Sequence, residues 1–202
     1  MHRILRGFQR GMGSVRDNFK FSLLALKFFE QRPFAQDIIL RINESKITIP
    51  AKKLNDAEAD VVRQYVNSIR RHLLNDMVIV YERYSTLMMA SHDAGQVYVD
   101  PSLAKKLVWS HQFESLPNVY TSDDLQFFQQ LRHLRHSVVH YNGVYNACNK
   151  LDYTFGTETF VSQGNEGKGI EVSFDTLLSI WQKLLHTVER GNRDYLRAYP
   201  TS

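Results

Sequence analysis

The stretch that decides the fold runs from Ala51 to Ala94: AKKLNDAEADVVRQYVNSIRRHLLNDMVIVYERYSTLMMASHDA. It holds no glycine and no proline. Val62, Tyr65, Ile69, Leu73, Met77, Val80, Tyr84 and Leu87 recur at steps of three and four. That spacing puts apolar side chains on one face of an α-helix. Asn55 followed by Glu58 has the form of a capping box, and His92-Asp93-Ala94-Gly95 supplies a stop. The spacing predicts one amphipathic helix over 57–90. A helix of that length needs a bundle, or an interface, to cover its apolar face.

Towards the N-terminus, Asn18 to Glu30 reads as a first helix. Phe19, Leu23, Leu26 and Phe29 form its buried stripe, widened by Leu24 and Phe28. Arg32-Pro33 ends it. Asp37-Ile-Ile-Leu-Arg41 is compatible with a short helix, and Lys46-Ile-Thr-Ile-Pro50 looks extended. Residues 1–17 carry Arg3, Arg6, Arg10 and Arg16 before the first acid, Asp17, and read as a basic arm, solvated or partly ordered.

Towards the C-terminus, Val97 to Pro101 is a connector, Leu103 to Trp109 a short helix and Leu116-Pro117-Asn118 a loop. Thr121 or Ser122, with Asp123 and Asp124, caps a helix that runs to His140. Tyr153 to Val161 is β-prone, Ser162 to Gly169 is Gly-rich and polar, and Ile170-Glu-Val172 is again extended. This predicts a hairpin with a long, mobile tip. Ser173 caps a last helix carrying Leu177, Trp181, Leu184 and Val188, closed by Gly191. The expectation is a mainly α bundle with a small β-hairpin before the last helix, forming a single domain over 18–199.

Composition narrows the function. The 202 residues are 43% hydrophobic and 12% aromatic, which suits a packed core. No apolar run approaches the roughly 20 residues that span a bilayer, and no secretory h-region stands near Met1. A lone cysteine, Cys148, allows no internal disulfide and suits a reducing cytoplasm. Without flanking groups to activate it, it reads as a small hydrophobe. The net charge is +4, but four of the 25 basic residues lie in residues 1–16, leaving 21 against 21 acids. A neutral body gives no broad nucleic-acid footprint, so any RNA contact must come from local clusters.

One such cluster closes the predicted fourth helix: Leu131-Arg-His-Leu-Arg135-His-Ser-Val-Val-His140-Tyr-Asn-Gly143. The Arg135 guanidinium is a fork suited to phosphate oxygens. The His140 imidazole can move a proton near neutral pH. On an α-helical wheel, His136 and His140 lie about 40° apart, with His133 between them and Arg132 beside them. Arg135 and His140 lie about 140° apart on the same wheel. A rigid α-helix does not aim both at one point. Either the arginine bends round, or a second copy of the helix faces the first about a twofold axis. His136 and His140 at i, i+4 have the spacing of zinc ligands, but no glutamate stands where a zinc-protease helix has one, and Cys148 lacks a paired thiol. No metal and no cofactor are expected. The bland alternative is that Arg135 satisfies carbonyls or an acid while His133, His136 and His140 are surface residues.

This segment resembles the signature of the HEPN superfamily of small α-helical domains: Arg, a polar residue, a short spacer, then His. His136 stands where many members have Asn. The resemblance implies a metal-independent endoribonuclease working as a dimer in a toxin–antitoxin, anti-phage or RNA-processing system. Arg135 and His140 would be the catalytic pair, with His136 in support. Tyr141 and Asn142 follow at the exit, but in the opposite order to the subgroup with a tyrosine two places after the histidine. Arg132 and His133 would line the RNA path. Some relatives act only as dimerisation or binding modules, so a non-catalytic partner of an antitoxin or defence protein is the alternative.

Overall fold

In the computed structural model, residues 2–30, 33, 35–42, 45–56, 59–93, 119–146, 148 and 150–200 are described. The fold is mainly α: α1 His2–Glu30, β1 Ile38–Ile42, β2 Ser45–Ile49, α2 Ala51–Asn55, α3 Ala59–Asp93, α4 Ser122–Arg135, a π-helical turn His136–His140, β3 Asp152–Phe155, β4 Glu158–Val161 and α5 Phe174–Ala198. The residues group into two compact units. One holds Met1–Arg16 with Arg70–Ser202, and the other Asp17–Ile69.

The core lies in the first unit. Ile4, Phe8, Met12 and Val15 of α1 are buried, as are Leu73, Leu74, Met77 and Tyr81 of α3. Phe127, Leu131, Leu134 and Val138 line the inner face of α4 and its π turn. Leu177, Ile180, Leu184 and Val188 do so on α5. These positions recur at steps of three and four, with Leu73 beside Leu74 on α3, so each helix offers a continuous apolar stripe. Specific contacts then lock the pairs. The Trp181 indole N–H donates to the Met12 carbonyl at 3.0 Å, tying α5 to α1. Arg190 of α5 pairs with the buried Asp124 at the start of α4. Gly191 lets α5 run against the Tyr120 ring, where a Cβ would meet Cε1 at 2.4 Å.

The N-terminal segment corrects the sequence reading. It is no arm: α1 begins at His2, and the buried stripe of this helix is Ile4, Phe8, Met12 and Val15. The arginines at 3, 6, 10 and 16 sit between those apolar positions. Their charge masks the 3–4 spacing of the apolar positions in the sequence. Leu23, Leu24 and Phe28, expected to be buried, are exposed.

The second unit contains the later part of α1, the β1–β2 hairpin, α2 and the start of α3. Ile38 pairs with Ile49 and Ile42 with Ser45, antiparallel, so Ile38–Ile42 is a strand where the sequence over Asp37–Arg41 was compatible with a short helix. Five residues with adjacent isoleucines cannot be told apart by periodicity, and the pairing decides. The Asp37 carboxylate accepts from the Ala51 N–H at 2.8 Å at the start of α2.

Three other expectations change. The hairpin before α5 is β3 with β4, Asp152↔Val161 and Phe155↔Glu158, turned at Gly156, where φ is +61°. Ile170–Val172 forms no strand of it. The Gly-rich segment is not a free tip either. The Tyr145 N–H donates to the Lys168 carbonyl at 3.0 Å, and the Gly167 N–H to the Tyr145 carbonyl at 3.0 Å. Finally, α5 passes through Gly191 to Ala198. The connector, the short helix Leu103–Trp109, the loop Leu116–Asn118, and Glu58 of the proposed capping box lie outside the described residues.

Candidate active site

The motif helix starts at a complete capping box. The Thr121 hydroxyl accepts from the Asp124 N–H at 3.3 Å, and the Asp124 carboxylate accepts from the Thr121 N–H at 2.8 Å. This satisfies two N–H groups that the helix itself leaves without partners. Gln130, halfway along, holds the β3 strand: its amide donates to the Lys150 carbonyl at 3.2 Å, and the Asp152 N–H donates back to it at 2.9 Å.

At Arg135 the α-helix ends and a π turn takes over for His136–His140. A π turn bonds residues five apart rather than four, so residues i and i+5 come closer in angle than on an α-helix. Arg135 and His140 are five apart. Arg135 Nη1 and His140 Nε2 are 2.9 Å apart within one chain. This corrects the wheel argument, which assumed α geometry. The two groups meet without a second copy of the helix. Single π turns inside α-helices occur often at functional sites.

The bond also has a direction. A guanidinium has donors only. In this contact His140 Nε2 is therefore the acceptor, a role open to the tautomer that carries its proton on Nδ1. The lone pair that a general base would use faces the arginine.

Arg135 is held from behind. Its Nε donates to the Asn75 side-chain oxygen of α3 at 3.1 Å. One turn earlier on α3, Arg71 donates through Nη2 to the Asn142 carbonyl at 2.6 Å. Asn142 has φ +53° and Gly143 φ +74°, the left-handed exit that the Tyr-Asn-Gly sequence suits. The Gly143 N–H closes on the Ser137 carbonyl at 3.1 Å, and the Ile170 N–H reaches the Gly143 carbonyl at 2.6 Å. A Cβ at Gly143 would stand 2.8 Å from Arg71 Nη2. Asn75 and Arg71 were not singled out in the sequence. Their only signal was the i, i+4 polar pair on a helix whose apolar stripe took the attention.

The remaining residues fall into place around this pair. The His136 ring stands 4.9 Å from His140 and 5.1 Å from Tyr141, centroid to centroid. Burial pushes the His136 pKa below its usual value, and the electrostatic influence of His140, Arg135, Arg132 and His133 pushes it the same way. Tyr141 is exposed, and Asn142 acts here through its backbone carbonyl. Arg132 is exposed on α4 and His133 half-buried, and both contribute to lowering the His136 pKa. Cys148 is exposed, contrary to its reading as a small hydrophobe. Among the described residues, no group of three His, Cys, Asp or Glu could hold a metal ion, and no helix is long and apolar enough to cross a membrane.

No protein-family model matches the chain, and no curated protein and no solved structure matches it.

Proposed function

We propose that the chain is a metal-independent endoribonuclease that cleaves RNA by attack of a ribose 2′-OH on its own phosphate. The observation that carries this reading is the 2.9 Å contact of Arg135 with His140 on the open side of the π turn. It puts an anion-binding fork and a neutral imidazole within reach of one phosphodiester.

In this reading the phosphate draws the Arg135 Nη groups off His140, while Nε keeps its bond to Asn75. The freed Nε2 takes the proton of the 2′-OH. The 2′ oxygen attacks phosphorus, the bond to the 5′ oxygen breaks, and Arg135 stabilises charge on the non-bridging oxygens. The 5′ oxygen receives its proton from the imidazolium just formed, directly or through water. The products are a 2′,3′-cyclic phosphate and a 5′-OH. His136 supports the site as a neutral ring rather than as the acid, since burial and the electrostatic influence of its neighbours hold it away from protonation. Arg132 and His133 would follow the RNA backbone. A homodimer, and an antitoxin or defence-complex partner, belong to the reading through the resemblance of the motif. The test is end-group analysis of cleaved RNA in EDTA: cyclic phosphate and 5′-OH ends support the reading, and 5′-phosphate ends or metal dependence refute it.

A second reading, a non-catalytic binding module, is favoured by one observation: the arginine occupies the base's lone pair. It predicts RNA or partner binding with no cleavage under any condition, and binding that survives His140→Ala.

A further inference from the structure

Away from the motif, the facing stripes of α1 and α3 do not fill the space between them. On α1 the stripe is Arg3, Gly7, Arg10 and Gly11, spaced as one helical face. On α3 it is Val80, Arg83, Tyr84 and Leu87. In a well-packed helix pair such positions carry interlocking aliphatic side chains. Here α1 offers two glycines and two arginines. At Gly11 the helices touch, since a Cβ would come within 2.8 Å of Val80 Cγ1. One turn earlier, at Gly7, a Cβ would meet nothing within 4 Å. The groove therefore opens from Gly11 past Gly7 into a cavity of about 360 Å³. That lies within the range of small-molecule sites.

Its lining has a definite chemistry. Ile4 and Phe8 are buried beneath it, and Val80, Tyr84 and Leu87 complete an apolar floor. Arg3, Arg10 and Arg83 stand at the rim, all exposed. Among the described residues, no acidic or amide side chain lines the cavity. None of the three arginines makes an ion pair with a described acid. Apart from the Tyr84 hydroxyl, the floor offers no side-chain hydrogen-bonding group to a base or sugar, whereas guanidinium forks select phosphate or carboxylate oxygens. An open apolar groove costs stability unless something occupies it.

We propose that this groove is a binding site for a single-chain anionic amphiphile, its phosphate or carboxylate head held by Arg3, Arg10 and Arg83 and its hydrocarbon body laid over Gly7. The site is independent of the ribonuclease reading, because its residues and those of the motif do not overlap.

The experiment is calorimetric titration of the full chain with octyl phosphate, with octanol and inorganic phosphate as the two halves of that ligand. Saturable one-to-one binding of octyl phosphate is expected, with each half at least tenfold weaker. Gly7→Leu fills the groove from a helical position with open space, and should abolish binding while circular dichroism stays unchanged. Arg83→Gln should weaken it severalfold. Equal binding of inorganic phosphate, many-fold uptake of octyl phosphate, or full binding by Gly7→Leu would overturn the proposal. A second arm offers phosphatidylglycerol vesicles: binding to vesicles but not to octyl phosphate would also overturn it, by placing the head group on a membrane rather than in a cavity.

Discussion

At His140 the hydrogen-bonding role follows from its neighbour. Arg135 can only donate, so Nε2 is the acceptor in their contact, and its lone pair is already in use. Activity then depends on how easily the arginine is drawn away without leaving the site. Asn75 is the residue that decides this, through its 3.1 Å bond to Nε. Asn75→Leu keeps the volume and removes the acceptor. A hydrogen bond to a charged group contributes about 1.5–3 kcal/mol, so the variant should cleave at least about tenfold more slowly. His136 carries a pH prediction. Its pKa is lowered in the folded chain, so below the ordinary value near 6.5 the unfolded chain binds more protons than the folded one. Stability therefore rises with pH through the window just below that value and is fully present above it. Thermal midpoints from pH 5 to 7.5 should climb in the wild type, and His136→Gln should flatten that climb. The motif residues themselves were legible, because an arginine and a histidine in a polar run advertise chemistry. Asn75 and Arg71 were not, since a polar residue on a long helix looks solvated until its partner is known.

At the level of elements, the π turn is what makes the motif a site. An α-helix would hold Arg135 and His140 about 140° apart; the wider turn brings them closer in angle. No local pattern distinguishes the two. The difference is one residue in the hydrogen-bond offset, settled by the buried Ser137 and Val138 on one side and the Gly143 closure on the other. The cap of α4 was legible, because Thr121, Asp123 and Asp124 act within one turn. It also carries energy. Thr121→Ala removes the side-chain acceptor of the capping box and should lower stability by about 1 kcal/mol, read from urea unfolding. The strand at Ile38–Ile42 was misread because short apolar runs fit helix and strand alike. The β3–β4 turn was misplaced because Gly156 was passed over in favour of the glycines at 164, 167 and 169.

Across the whole molecule, the N-terminal segment decides between two pictures. As a solvated arm, residues 1–16 would add nothing to stability. As the first half of α1, they place Phe8 at 2% exposure against the ring of Tyr84, 5.2 Å between centroids. Phe8→Ala should then cost about 3–5 kcal/mol in denaturant unfolding; a change below half a kcal/mol would restore the arm. The mainly α class was readable from α3 alone, whereas this packing was hidden by charge. The ribonuclease reading is tested most directly on an RNA oligonucleotide cut by the wild-type chain in EDTA, beside the same oligonucleotide with a 2′-deoxyribose at the cut. The account predicts cleavage of the first, none of the second, and a loss of about 10²–10⁴-fold in His140→Ala. Undiminished cleavage by His140→Ala, or cleavage at the deoxyribose, would contradict it.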